Sequence, residues 1–104
     1  MFEIVAGDLE PAIDIDLTVN GVAQDVSDAT GPILMHWRKP DGTEVSVTMS
    51  AVNLVLGQVA YQWVSSDTAI AGVHRAQVVV PRPNGPQTFP GDGAYVRWVV
   101  HPKI

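Results

Sequence analysis

The sequence predicts an all-β fold, a single antiparallel sandwich of about seven strands. Three observations predict it. Eight prolines and nine glycines break the chain at short intervals. They leave no long window free of breakers with a 3.6-residue apolar period, so no helix of more than two turns is expected. Apolar and polar residues instead alternate in short runs, and turn-forming residues separate those runs. At 104 residues the chain is long enough for one core and one domain.

Taken in order, residues 1–7 form either an amino-terminal arm or the first strand, and residues 8–104 form the sandwich. Phe2, Ile4 and Val5 make the opening segment apolar. Ile13, Ile15, Leu17 and Val19 then alternate with Asp14, Asp16, Thr18 and Asn20, the pattern of a strand with one wet face. Asn20-Gly21 tolerates positive φ and supplies a turn. A strand from Ile33 to Arg38, the turn Pro40-Asp41-Gly42 and an alternating run from Glu44 to Met49 read as a hairpin. Val52 to Leu56 is apolar and stops at Gly57, after which Val59, Tyr61 and Trp63 share one face. Val73 to Val80 is apolar enough for a strand covered on both sides or at an interface, and Pro81 and Pro83 end it. Asn84-Gly85 turns the chain, and Ala94 to Val100 supplies the last strand, which carries Trp98.

The net charge is −5 at pH 7, so a phosphate backbone is not an expected partner. The six basic residues are scattered, with only Arg38 and Lys39 adjacent, and make no stripe for a membrane surface. There is no cysteine, hence no disulfide and no thiolate metal site. Met1-Phe2-Glu3 does not open a secretory signal, and synthesis in the cytoplasm is expected. Charged residues are only 16% of the chain, which suggests surface covered by a partner.

No constellation of catalytic residues stands out, and the expectation is a protein that is not an enzyme and needs no cofactor. Asp8, Glu10, Asp14 and Asp16 could be read as a calcium site, but a solvated strand face accounts for them better, since no ligand loop is present. His36, His74 and His101 lack the spacing of zinc ligands, and His74 is read as structural. Ser65, Ser66 and Asp67 sit in no strained nucleophile turn; Asp67 is expected to cap a tight corner. Gly91-Asp92-Gly93 is followed by no lysine and no helix, so it is not a phosphate cradle. Trp37, Trp63 and Trp98 stand one to a strand. They are either core residues or a platform for stacking sugars, and at least two, Trp37 and Trp63 among them, are expected in the core.

The order of these segments resembles the immunoglobulin-like domains of tailed-phage structural proteins. Gly7-Asp8 opens the pattern, and the alternating strand Ile13 to Val19 follows. Val26-Ser27-Asp28-Ala29-Thr30 and Pro40-Asp41-Gly42-Thr43 come next, then Gly57 to Trp63 and Asp67-Thr68. Gly72-Val73-His74-Arg75-Ala76-Gln77, Thr88-Phe89-Pro90 and Asp92-Gly93 close it. His74 stands where the pattern has a tyrosine whose hydroxyl bonds the backbone at a corner; a histidine can donate or accept such a bond. The domain resembled most is the amino-terminal domain of phage baseplate upper proteins. The resemblance implies an immunoglobulin-like sandwich that acts in a virion, in the tail, the baseplate or as capsid decoration. Its partners would be other virion proteins and copies of itself. The chain carries no fibre extension, which favours a short accessory or decoration subunit. The partner-binding residues expected are Phe2, Ile4, Val5, Val78 and Val80, through strand addition by the opening segment and through the apolar run. The alternative is a carbohydrate-binding module with a sugar as partner.

Overall fold

A computed structural model describes residues 2–64, 66–90 and 95–104. Eleven strand segments and one short 3₁₀ turn make up the regular structure among these residues. The strands are β1 (Phe2–Val5), β2 (Ile13–Asp16), β3 (Thr18–Val19), β4 (Val22–Ala23), β5 (Leu34–Arg38) and β6 (Glu44–Thr48). They continue with β7 (Ser50–Asn53), β8 (Gln58–Tyr61), β9 (Gly72–Arg82), β10 (Gly85–Phe89) and β11 (Val96–His101). The larger sheet runs β1-β11-β9-β5-β6, with β10 paired to the far half of β9. The second sheet runs β2-β8-β7. The fold is the all-β sandwich that the alternation predicts: buried side chains of both sheets, Ile13, Ile15 and Val59 on one side and Met35, Trp37, Val78 and Trp98 on the other, belong to one core.

The count of segments exceeds seven for local reasons. The run Ile13–Val19 does not stay in one ladder: Leu17 bonds the Gly57 carbonyl at 2.7 Å, and Thr18 and Val19 leave to pair with Ala23 and Val22. Asn20 at φ 51° and Gly21 at φ 80° make the two-residue turn of that hairpin, because both positions need the left-handed region. The Pro40-Asp41-Gly42 hairpin forms as read, with β5 and β6 in register from Leu34↔Thr48 to Arg38↔Glu44. Asp41 Oδ1 accepts from the Thr43 amide at 2.9 Å and closes the turn.

The opening segment is the first strand. It pairs in parallel with β11, from Phe2↔Trp98 to Val5↔His101, and Ile4 enters the core. The run Val73–Val80 is covered on one side only. In β9, His74, Ala76, Val78 and Val80 point inward and are buried, while Val73 and Arg75 are exposed.

Candidate functional site

Apolar residues occupy two contrasting places in this molecule. The first is an aromatic centre. Trp37 on β5, Trp98 on β11 and Trp63, just past β8, meet with ring centroids 5.2–5.7 Å apart. Each is at most 2% exposed, so no indole is available as a stacking platform. Two of the three indoles are also anchored. The Trp63 Nε1–H donates to the Pro11 carbonyl at 2.9 Å, and the Trp37 Nε1–H donates to His74 Nδ1 at 2.9 Å. The Trp98 Nε1–H has no partner among the described residues.

His74 is fixed by what it bonds. An indole N–H can only donate, so Nδ1 is the acceptor and the proton sits on Nε2. Nε2 in turn donates to the Ile70 carbonyl, 2.9 Å away and four residues upstream. The bond ties the start of β9 back to the corner that precedes it. Burial holds the His74 pKa below its ordinary value, and the Ile70 bond offsets this in part. A second corner lies at Asp67. Its Oδ2 accepts from the Tyr61 hydroxyl at 2.7 Å and from the Val64 amide at 2.8 Å. Burial and this carboxylate push the Tyr61 pKa up to about 12. Asp67 is thus a cap for backbone and phenol. The neighbouring Ser65 and the segment Gly91-Asp92-Gly93 lie outside the described residues.

The second place is a corner where aliphatic side chains face solvent. The residues that flank the β3–β4 hairpin bond and pack against the 3₁₀ turn Leu54–Leu56 and the Gly57 that ends it. Val26 bonds the Leu54 carbonyl at 2.9 Å, and Gly57 fits so closely that a Cβ there would stand 2.6 Å from the Gln24 oxygen. Gly57 adopts φ 67° and ends the turn, whose Leu56 amide is capped by the Asn53 side chain. Around this junction Val19, Val22, Val52, Val55 and Leu56 are all exposed, Val22 by 64% and Val55 by 59%. The sequence marks Val52–Leu56 as apolar but does not reveal that it lacks a covering layer. The ladder explains this: β7 is the edge strand of its sheet, and a register shift between Ala51 and Asn53 turns Val52 outward.

The expected partner-binding residues divide. Val78 and Val80 are fully buried in the chain's own core and Ile4 nearly so, so none of them can lie on a partner-facing surface. The register explains the error. Val78 and Val80 fall on the inward phase of β9; Val78 stands opposite Met35 on one side and Phe89 on the other, and Val80 opposite Gln87. Phe2 is half-buried against Trp63, with ring centroids 6.0 Å apart. Val5 remains at the surface on the outward side of β1. The opening segment is engaged with β11, so it is not free to leave as a strand for a neighbour without opening its own sheet.

The acidic residues do not converge. Asp8 bonds Lys103 at 3.1 Å, while Asp14 and Asp16 project from the outward side of β2. Among the described residues no group of three or more His, Cys, Asp or Glu side chains could hold a metal ion. No described helix is long and apolar enough to cross a membrane. His36 meets Ser46 at 2.7 Å and His101 meets Glu3 at 2.9 Å, on separate strands and with separate partners. No family model matches the chain, and no curated protein matches it.

Proposed function

We propose that the chain is a non-enzymatic, immunoglobulin-like structural subunit of a tailed-phage virion that works by assembling with other proteins. The strand order supports the immunoglobulin-like reading. β2, β8 and β7 correspond to the B, E and D strands of such domains, and β6, β5, β9 and β11 to C′, C, F and G. The buried tryptophan on β5 and the corner bond of His74 fall where that fold places its own tryptophan and tyrosine. The phage assignment rests on the resemblance in segment order.

The observation that carries assembly is the aliphatic corner. Five exposed Val and Leu side chains, Val19, Val22, Val52, Val55 and Leu56, lie on the β3–β4 hairpin and on the segment from β7 into the 3₁₀ turn, apolar surface that a partner could cover. The bonds of Leu17 and Val26 to the 3₁₀ turn region join these segments. The carbohydrate alternative loses its motivating feature, because all three indoles are inside.

The experiment is the composition of the particle. Virions purified after growth should contain the chain in a fixed copy number, and their cryo-EM map should show it touching other subunits. Val22→Asp with Val55→Asp should remove it from particles while the isolated domain still melts cooperatively. A particle that lacks the chain, or a chain touching no neighbour, would overturn the reading.

A further inference from the structure

The outward face of the larger sheet carries a feature that the aliphatic corner does not explain. Glu44, Arg38, Arg75 and Arg97 form one row across β6, β5, β9 and β11. Arg38 stands opposite Glu44, Arg75 opposite Arg38, and Arg97 opposite Arg75. All four side chains are exposed. The chain holds six lysines and arginines against eleven acidic residues, so this row takes half of its cations. Like charges directly opposite on neighbouring strands repel. One carboxylate answers three guanidiniums, and it is taken by Arg38, whose Nε lies 3.0 Å from Glu44 Oε1. Arg75 and Arg97 have no hydrogen bond or ion pair among the described residues. Arg82 shows the contrast. It bonds Asp28, the Asp25 carbonyl and Gln87, and so ties the loop after β4 to β9 and β10.

Glu44, Arg38 and Arg75 of the row border a depression of about 400 Å³ whose walls also include His36, Ser46 and Tyr95. Among the described residues no hydrogen bond or ion pair engages the two neighbouring guanidiniums of Arg75 and Arg97. A guanidinium fork matches a carboxylate with two parallel bonds, and a pair of forks one strand apart suits a pair of carboxylates.

The opposite face of the molecule supplies such a pair. Asp14 and Asp16 flank the buried Ile15 on β2, both exposed and neither with an ion pair among the described residues. Two residues apart on a strand, their Cα atoms are about 7 Å apart. They border a shallow depression of about 230 Å³ with Val52 and Gln58. Because the two sheets face each other through the core, the arginine row and the aspartate pair point away from each other. One molecule therefore presents a basic row on one face and an acidic pair on the other.

We propose that the Arg38–Arg75–Arg97 row docks the Asp14 and Asp16 carboxylates of a second copy of this chain, face to back. The inference rests on the assembly reading and names one of its partners. A face-to-back contact joins two different surfaces, so it does not end at a dimer; it propagates into a ring or a stack. A long polyanion is a poorer occupant, because the net charge of −5 repels it and the row crosses only about 10 Å of sheet. Exposed ion pairs are screened by salt, so the association is salt-sensitive.

The test is sedimentation velocity of the whole chain at rising concentration, in about 0.02 M and about 0.5 M salt. Species larger than a dimer are expected at low salt and should dissociate at high salt. Arg75→Gln with Arg97→Gln should weaken association at least tenfold, and so should Asp14→Asn with Asp16→Asn. Mixed in equal amounts, the two variants should form a one-to-one pair that grows no further, since each keeps one competent face. All four changes are at the surface, and unchanged melting curves would show that folding is intact. A wild-type chain that stays monomeric at low salt overturns the proposal, as do oligomers that persist in both variants. Binding of oligoglutamate or of single-stranded DNA to the row without self-association overturns it as well. Particle composition separates this failure from that of the assembly reading. If the glutamine and asparagine variants still enter virions and the Val22, Val55 variant does not, face-to-back docking is wrong and assembly stands.

Discussion

Trp37 and Val22 are both apolar residues on short strands, yet Trp37 is 1% exposed and Val22 64%. The difference is the layer opposite. Trp37 lies on β5, in the middle of a sheet whose inner face meets β2 and β8 across the core. Val22 lies on a two-residue strand in a hairpin that belongs to neither main sheet. Strand character alone does not bury a side chain; a second layer does. At the aromatic centre that layer also supplies polar partners, so that a large ring can be dry and still satisfied. At the aliphatic corner it is missing, and small side chains are left in water.

The largest effect is expected where the two layers lock together. Trp37→Ala would remove a ring that touches Trp63, Trp98 and His74 and would strip His74 Nδ1 of its donor. The loss should be about 3–5 kcal/mol, read as a shift of the urea midpoint. A loss below about 1 kcal/mol would mean that the centre can collapse around the gap.

The sequence reveals the centre better than the corner, and the reason is physical. Alternation shows which residues share a strand face, so Ile13, Ile15, Met35, Trp37 and Val59 can be placed inward from sequence alone. Turn chemistry shows where strands end, as at Asn20-Gly21 and Pro40-Asp41-Gly42. Neither shows which strand lies beside which. The pairing of β1 with β11 joins residues almost a full chain apart. The phase of β9 hides in Val78-Val79-Val80, where both faces are apolar, which is why Val78 and Val80 look as available as Val79. The arginine row is equally invisible, since Arg38, Arg75 and Arg97 become neighbours only through two ladders.

Gly57 sits where Leu17 and Gln24 meet the 3₁₀ turn, and its replacement should have the next largest effect. Its φ of 67° already disfavours a side chain, and an added Cβ would meet the backbone oxygens of Gln24 at 2.6 Å and Leu17 at 2.8 Å. Neither oxygen belongs to a flexible side chain. Gly57→Ala should cost about 2–3 kcal/mol. A neutral result would show that the hairpin and the 3₁₀ turn are not held together as tightly as these distances imply.

His74 tests how far the centre depends on a neutral ring. Its pKa is held below 6.5 when folded and is ordinary when unfolded. Below that pH the unfolded chain binds a proton that the folded chain refuses, so stability is full above about pH 6.5 and falls as the pH drops through the lowered folded value. Protonation would set a second N–H against the Trp37 indole N–H. Lys39 disfavours the charged ring and Asp41 favours it, the smaller influences on the site. His74→Gln can keep both hydrogen bonds, accepting from Trp37 and donating to Ile70, and it does not titrate. Urea unfolding from pH 8 to pH 5 should show a fall in the wild type that is shallower in the glutamine variant. Equal slopes would place the acid sensitivity in groups other than His74.

The smallest effect on stability is expected at the corner, and it sharpens the comparison most. Val22 and Val55 bury little of their side chains, so Val22→Ser with Val55→Ser removes little apolar contact from the folded state. Each change should alter stability by no more than about 0.5 kcal/mol, the range of ordinary surface substitutions. The same pair should nevertheless reduce binding to whatever covers the corner in a particle, because there both side chains become interface. Stability and assembly should therefore separate here, whereas at Trp37 both should fail together. If the serine pair lowers stability by several kcal/mol, the corner is part of the core in solution and its exposure is no argument for a partner. If it changes neither stability nor incorporation, the uncovered valines have no role in assembly, and the contact must lie elsewhere on the molecule.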